Sequence, residues 1–133
     1  MSRKVRFGVP GPYKYVVNEV AIGLPKPRVA REALRLRLTP AARERAVTFS
    51  EEFSPEQALQ VGFIDALVPT EELLDTARDK AAALLKLDPA PHAVSKKRLR
   101  ADTLKSIRRA LPLDLKDAVV LGAKRVAQAR RGR

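Results

Sequence analysis

Cysteine is absent from the 133 residues, which excludes disulfides, thiol catalysis and any cysteine-ligated metal. Tryptophan is absent too, and aromatics make up only 5% of the chain, so a stacking platform for single-stranded nucleic acid is nearly lacking. With a single histidine, His92, a zinc site would have to be mostly carboxylate, and no metal site is expected. No apolar run approaches the roughly 18 residues of a membrane-spanning helix. The opening MSRKVRFGVP is basic but has no apolar core segment, so no secretory leader is expected. Together these absences lead one to expect a cytoplasmic protein. A glycine-rich phosphate loop is missing as well, because Gly8, Gly11 and Gly23 fit neither nucleotide-binding spacing.

What is present is a globular composition, 45% hydrophobic, in a chain of one-domain length. Lysine and arginine number 27 against 15 acidic residues, a formal charge of +12. That balance attracts anions such as nucleic acid, anionic lipid or a phosphorylated cofactor. The basic residues are spread along the chain, however, and on charge alone a solvated basic surface is the preferred reading.

The β signal is confined to the front. Residues 4–9 (KVRFGV) and 13–17 (YKYVV) read as short strands with turn chemistry at Pro10-Gly11-Pro12, forming a hairpin or two neighbouring short strands. Pro25 and Pro27 then forbid a regular helix, leaving Asn18 to Pro27 as a loop. From Val29 the pattern is helical. Ala30, Ala33, Leu34 and Leu38 form the first stripe. Thr39-Pro40 and Ser54-Pro55-Glu56-Gln57 are helix starts, and Gly62 is a helix stop. Phe63 to Val68 reads as a brief strand or extended connector ending at Pro69. Thr70 is expected to cap a helix with the stripe Leu73, Ala77, Ala81, Leu84 and Leu85, ended by Asp88-Pro89-Ala90-Pro91.

A helix is expected from about His92 to Ala110, striped by Ala101, Leu104, Ile107 and Leu111. Pro112 should interrupt it before a last helix on Leu115, Val119, Ala123 and Val126, and the terminal ARRGR should fray. A two-stranded sheet has exposed edges and does not stand alone, so the front strands read as pieces of a larger sheet. The fold class is therefore α/β, one incomplete domain in three stretches. These are strands and loop over 1–27, core helices and a connecting strand over 28–69, and a helical region over 70–133.

Glu19 is the residue with the clearest chemical potential. It lies among Val16, Val17, Val20, Ala21 and Ile22, and burial there would raise its pKa toward the range of a general acid or base. The plainer reading leaves it pointing into solvent. A second feature is the basic stretch Ser95 to Arg100 followed by Lys105, Arg108 and Arg109, with Arg98, Lys105 and Arg109 near one helical face. It reads as a solvated face unless a phosphorylated ligand is indicated otherwise. His92 has no triad context and is assigned no role.

The segments GPYKYVVNEVAIGLPKP and LRLTPAARERAVTFSEEFSPEQALQVGFIDALVPTEELLDTA resemble the C-terminal half of the enoyl-CoA hydratase/isomerase (crotonase) superfamily. The most specific pieces are Asn18 to Gly23 and the run Ala58 to Val68. The resemblance implies a fragment of a ββα spiral whose helical end serves oligomer contacts and covers an acyl-CoA. It implies Glu19 as a catalytic glutamate, Asn18 and Gly23 beside the substrate, and Lys96 near the CoA, whose phosphates the basic stripe could meet. CoA is then part of the substrate, and no separate cofactor is implied.

The partners implied are an acyl-CoA, a homo-oligomer (a trimer or dimer of trimers) or a complementing N-terminal half. Two departures stand out. The front half of the family domain is missing, with its oxyanion hole and its other glutamate, so the isolated chain is expected to be inactive. Pro25-Lys26-Pro27-Arg28-Val29-Ala30 also replaces the glycine-rich stretch of hydratases proper, so water addition is not implied. The remaining alternatives are an inactive CoA-binding or oligomerising fragment and, less favoured, a basic nucleic-acid-binding helical protein.

Overall fold

Local chemistry writes the middle of the fold. In the computed structural model, which describes residues 5–131, the Thr39 hydroxyl accepts the Ala42 N–H at 3.4 Å and opens α2 (Pro40–Phe49). Ser54 opens α3 (Pro55–Val61) by a reciprocal pair. Its hydroxyl accepts the Gln57 N–H, and the Gln57 side chain accepts the Ser54 N–H at 2.8 Å. Gly62 closes α3 with φ of +99°. These starts and stops are as expected. The helix expected from Val29 to Leu38 is α1 (Arg28–Arg35), which stops before Leu38; its buried residue is Glu32, bridged by Arg31 and Arg35, while Ala33 of the expected stripe is exposed.

The front strands do not make a hairpin. β1 (Phe7–Gly8) pairs in parallel with β2 (Ala66–Leu67), Phe7 opposite Ala66 and Gly8 opposite Leu67. Segment 13–17 contributes one antiparallel bridge, Tyr15 to Phe53, with both N–H···O bonds at 2.9 Å. The intervening Pro10 and Pro12 lack the N–H donors that a hairpin ladder needs. Of the expected strand 4–9, Lys4 lies outside the described residues.

The core gathers between these pieces. Val17, Leu38, Ala42, Ala46, Phe53 and Val61 are buried together, with Tyr15, Leu34, Val47 and Phe63 packed around them. The Phe53 ring lies 5.5 Å from Phe63, and the Arg45 guanidinium sits over its face.

The last third differs from expectation at its joints. Thr70 makes no side-chain cap. It begins a 3₁₀ turn (Thr70–Glu72) that leads into α4 (Leu73–Leu85), where Leu73, Ala77 and Leu84 are half-buried but Ala81 and Leu85 are exposed. Asp88 caps α5 (Pro89–Leu99), its carboxylate accepting the Ala90 N–H at 2.9 Å, so the segment that ends one helix also starts the next. The chain then breaks at Arg100 (φ −103°, ψ 1°), and α6 (Ala101–Arg131) runs straight through Pro112.

A proline inside a helix removes one hydrogen bond and costs about 3 kcal/mol. Here the cost is offset by packing on either side, through buried Ala110 and through Asp114, described below. The stripe Leu115, Val119 and Val126 is exposed, at 61%, 73% and 54%. Helix continues to Arg131 where fraying was expected; Gly132 and Arg133 lie outside the described residues.

Candidate active site

Residues Asn18 to Leu24 form a tight turn closed by backbone-to-backbone bonds within it. Ile22 N–H donates to the Asn18 carbonyl at 3.1 Å, Gly23 N–H to Val20 at 3.0 Å and Leu24 N–H to Glu19 at 2.8 Å. Buried Val17 anchors the turn on the core, and the Ser50 hydroxyl accepts the Ala21 N–H at 3.2 Å. Gly23 supplies the left-handed φ of +74° on which the turn closes. Glu19 is thereby fixed on a rigid corner rather than on a loose loop.

The Glu19 side chain is 27% exposed and forms part of the wall of a cleft of about 520 Å³. The opposite wall is α6, through Asp117, Ala118, Val120, Leu121 and Lys124, and the floor is the Leu24–Arg28 loop. One carboxylate oxygen, Oε1, accepts from Lys26 Nζ at 2.5 Å. The other, Oε2, is buried and has no hydrogen-bond partner among the described residues. The Lys26 hydrogen bond holds the Glu19 carboxyl below its ordinary value, outweighing the upward push of partial burial. The sequence led one to expect the reverse shift, because the neighbours of Glu19 in the chain are apolar while its neighbour in space is a cation.

Across the cleft, α1 has no side-chain cap of its own, since Pro27 stands at its N-cap. The Asp114 carboxylate fills that role from α6, accepting Arg28 N–H at 3.0 Å and Val29 N–H at 2.8 Å. The Arg28 guanidinium closes the contact onto Asp114 at 3.2 Å and Asp117 at 2.6 Å. The Val29 N–H is the foremost cause that holds Asp114 below its usual carboxyl range. This latch sets α6 over the loop. Sequence reasoning missed both Lys26 and Asp114; only the lysine had a local signal, its place between two prolines.

The other expected site residues fall elsewhere. Asn18 and Gly23 are exposed at the two ends of the Glu19 turn. Lys96 lines a separate hollow of about 330 Å³ with Val5, Leu84, His92, Ser95, Leu99 and Arg100, and the structure does not bring it into the Glu19 cleft. His92 Nε2 is buried there without a hydrogen-bond partner among the described residues. Arg98, Lys105 and Arg109 are exposed and divided between α5 and α6, so they do not form the single-helix stripe that the spacing implied. Among the described residues no group of three or more His, Asp or Glu could hold a metal ion, and no helix is long and apolar enough to cross a membrane.

Comparison with known proteins decides the ancestry of this arrangement. The family profile described as "Enoyl-CoA hydratase/isomerase" matches residues 12–128. The chain belongs to the enoyl-CoA hydratase/isomerase family. A family member from Pseudomonas syringae is 36% identical with a TM-score of 0.80, over 83% of this chain and 48% of that one. An enoyl-CoA hydratase from Mycobacterium marinum is also 36% identical, with a TM-score of 0.79 over 85% of this chain and 50% of its own. Human mitochondrial enoyl-CoA delta isomerase 1 is 30% identical over 87 residues, which is 65% of this chain and 29% of the isomerase. This hydratase/isomerase-family chain thus spans about half the length of the solved relatives it matches.

Proposed function

We propose that the chain supplies the base-bearing half of an acyl-CoA site that migrates a double bond. Glu19 takes a proton from C2 of a 3-enoyl thioester and returns it at C4. One C–H bond breaks and another forms, the double bond moves from C3–C4 to C2–C3, and no water or co-reactant is consumed. The observation carrying this reading is the place of Glu19 in the wall of a largely apolar cleft, with its buried Oε2 unpartnered among the described residues. A developing enolate needs an oxyanion hole, which the reading assigns to a front half in the same or another polypeptide.

Hydration would need a second group to place the water. The other carboxylates in the cleft, Asp114 and Asp117, are committed to Arg28 and the start of α1. The identity with a human delta isomerase points the same way. In this reading Asn18 and Gly23 frame the turn beside the substrate, and Lys96 meets the phosphorylated end of CoA. Residues 1–27, 28–69 and 70–133 act as strands with active-site loop, core, and oligomerising cover. The exposed stripe of α6 supports homo-oligomer contacts, a trimer or dimer of trimers. A cytoplasmic setting completes the proposal; nucleic acid is not a partner in it.

The test combines the full chain with a separately produced front half of the Pseudomonas syringae relative. Isomerisation of a 3-enoyl-CoA is expected from the mixture and from neither part alone. Glu19→Gln should lower the restored rate about 10²- to 10⁴-fold, the range of a lost general base. Restored turnover that is indifferent to Glu19→Gln removes Glu19 from the chemistry.

A further inference from the structure

The two oxygens of Glu19 are not equivalent, and the cause is a single lysine. Lys26 is itself only 13% exposed and reaches Oε1 at 2.5 Å. Pro25 and Pro27 fix φ on both sides of it, so the ammonium is carried by a stiff strap. The strap is held at its far end by the two backbone bonds from Arg28 and Val29 to Asp114. Lys26 is therefore placed before any ligand arrives.

We propose that Lys26 is the positioning residue of this site, tying down Oε1 of the Glu19 carboxylate and leaving Oε2 as the unpartnered proton acceptor among the described residues. Its use in catalysis rests on the reading of Glu19 as the base; the positioning itself does not. A free carboxylate rotates and offers either oxygen, and orientation secured beforehand is not lost in reaching the transition state. The cation has a second consequence. An apolar acyl chain entering the cleft displaces water and pushes a carboxylate toward its protonated form. The charged groups lining the cleft are Lys26 and Arg28 from the loop and α1, and Asp114, Asp117 and Lys124 from α6. Arg28 is engaged by the two aspartates, which leaves Lys26 as the cation in hydrogen-bond contact with Glu19.

The experiment is a carboxyl-carbon NMR titration of the full chain, without substrate, for the wild type and for Lys26→Met, Lys26→Gln, Lys26→Arg and Lys14→Met. The wild-type Glu19 midpoint should lie below that of an ordinary glutamate. It should move up in Lys26→Met and Lys26→Gln and return toward the wild-type position in Lys26→Arg. It should not respond to Lys14→Met, which removes the exposed Lys14–Glu52 pair. In the complemented assembly, Lys26→Met should move the acid limb of kcat/KM upward with little change in KM. A Glu19 midpoint already ordinary in the wild type, or unchanged in both neutral variants, overturns the proposal. Failure of the base reading looks different: restored turnover then survives Glu19→Gln while the titration still responds to Lys26.

Discussion

A Cβ at position 62 would lie 2.1 Å from the carbonyl oxygen of Arg37, and the backbone there holds φ at +99°. Both facts exclude a side chain, one by clash with main chain and one by conformation. Gly62→Ala should destabilise the chain by about 2–4 kcal/mol in urea unfolding, because neither term can relax without moving the joint between α3 and β2. At this scale the sequence was most legible where a residue acts on its own backbone: Thr39, Ser54 and Gly62 were all read correctly. It was least legible where a side chain acts through space. Glu32 is buried although arginines surround it in the chain, and Glu19 finds Lys26 only because the turn folds the loop back. No periodicity carries that information.

The elements show the same division. Helices were recoverable because their caps and stripes are local, whereas the hairpin reading failed because strand pairing is not. The Tyr15 segment pairs with Phe53 and β1 pairs with β2, contacts that only the assembled helices create. The α5–α6 joint at Arg100 has neither glycine nor proline to announce it, and Pro112 announces a break that packing overrides. The α1–α6 latch gives a direct test. In Asp114→Ala the amides of Arg28 and Val29 lose their acceptor, and their hydrogen exchange should accelerate while α2 and α3 amides keep their protection. Equal protection in both chains would show that contacts other than the carboxylate hold α6 in place.

For the molecule as a whole, the imbalance lies between a core confined to the middle of the chain and a long C-terminal helix with little buried on it. The family relationship was legible from the Asn18–Gly23 and Ala58–Val68 runs, and the profile match over residues 12–128 bears it out. The exposed stripe of α6 makes self-association the expected behaviour. Val119→Asp, at a position 73% exposed, should leave the far-UV circular dichroism unchanged while shifting sedimentation toward the smaller species. Identical sedimentation of both chains at every concentration would clear this face of any such role.

The parallel pairing of β1 with β2 also has a kinetic meaning. Arg6 and Asp65, bonded at 2.8 Å, are 59 residues apart, so this edge closes a loop containing three helices. Closing so long a loop gains little until what lies inside it has condensed. During synthesis β1 therefore leaves the ribosome well ahead of β2 and cannot make this pair until the residues around position 66 have followed.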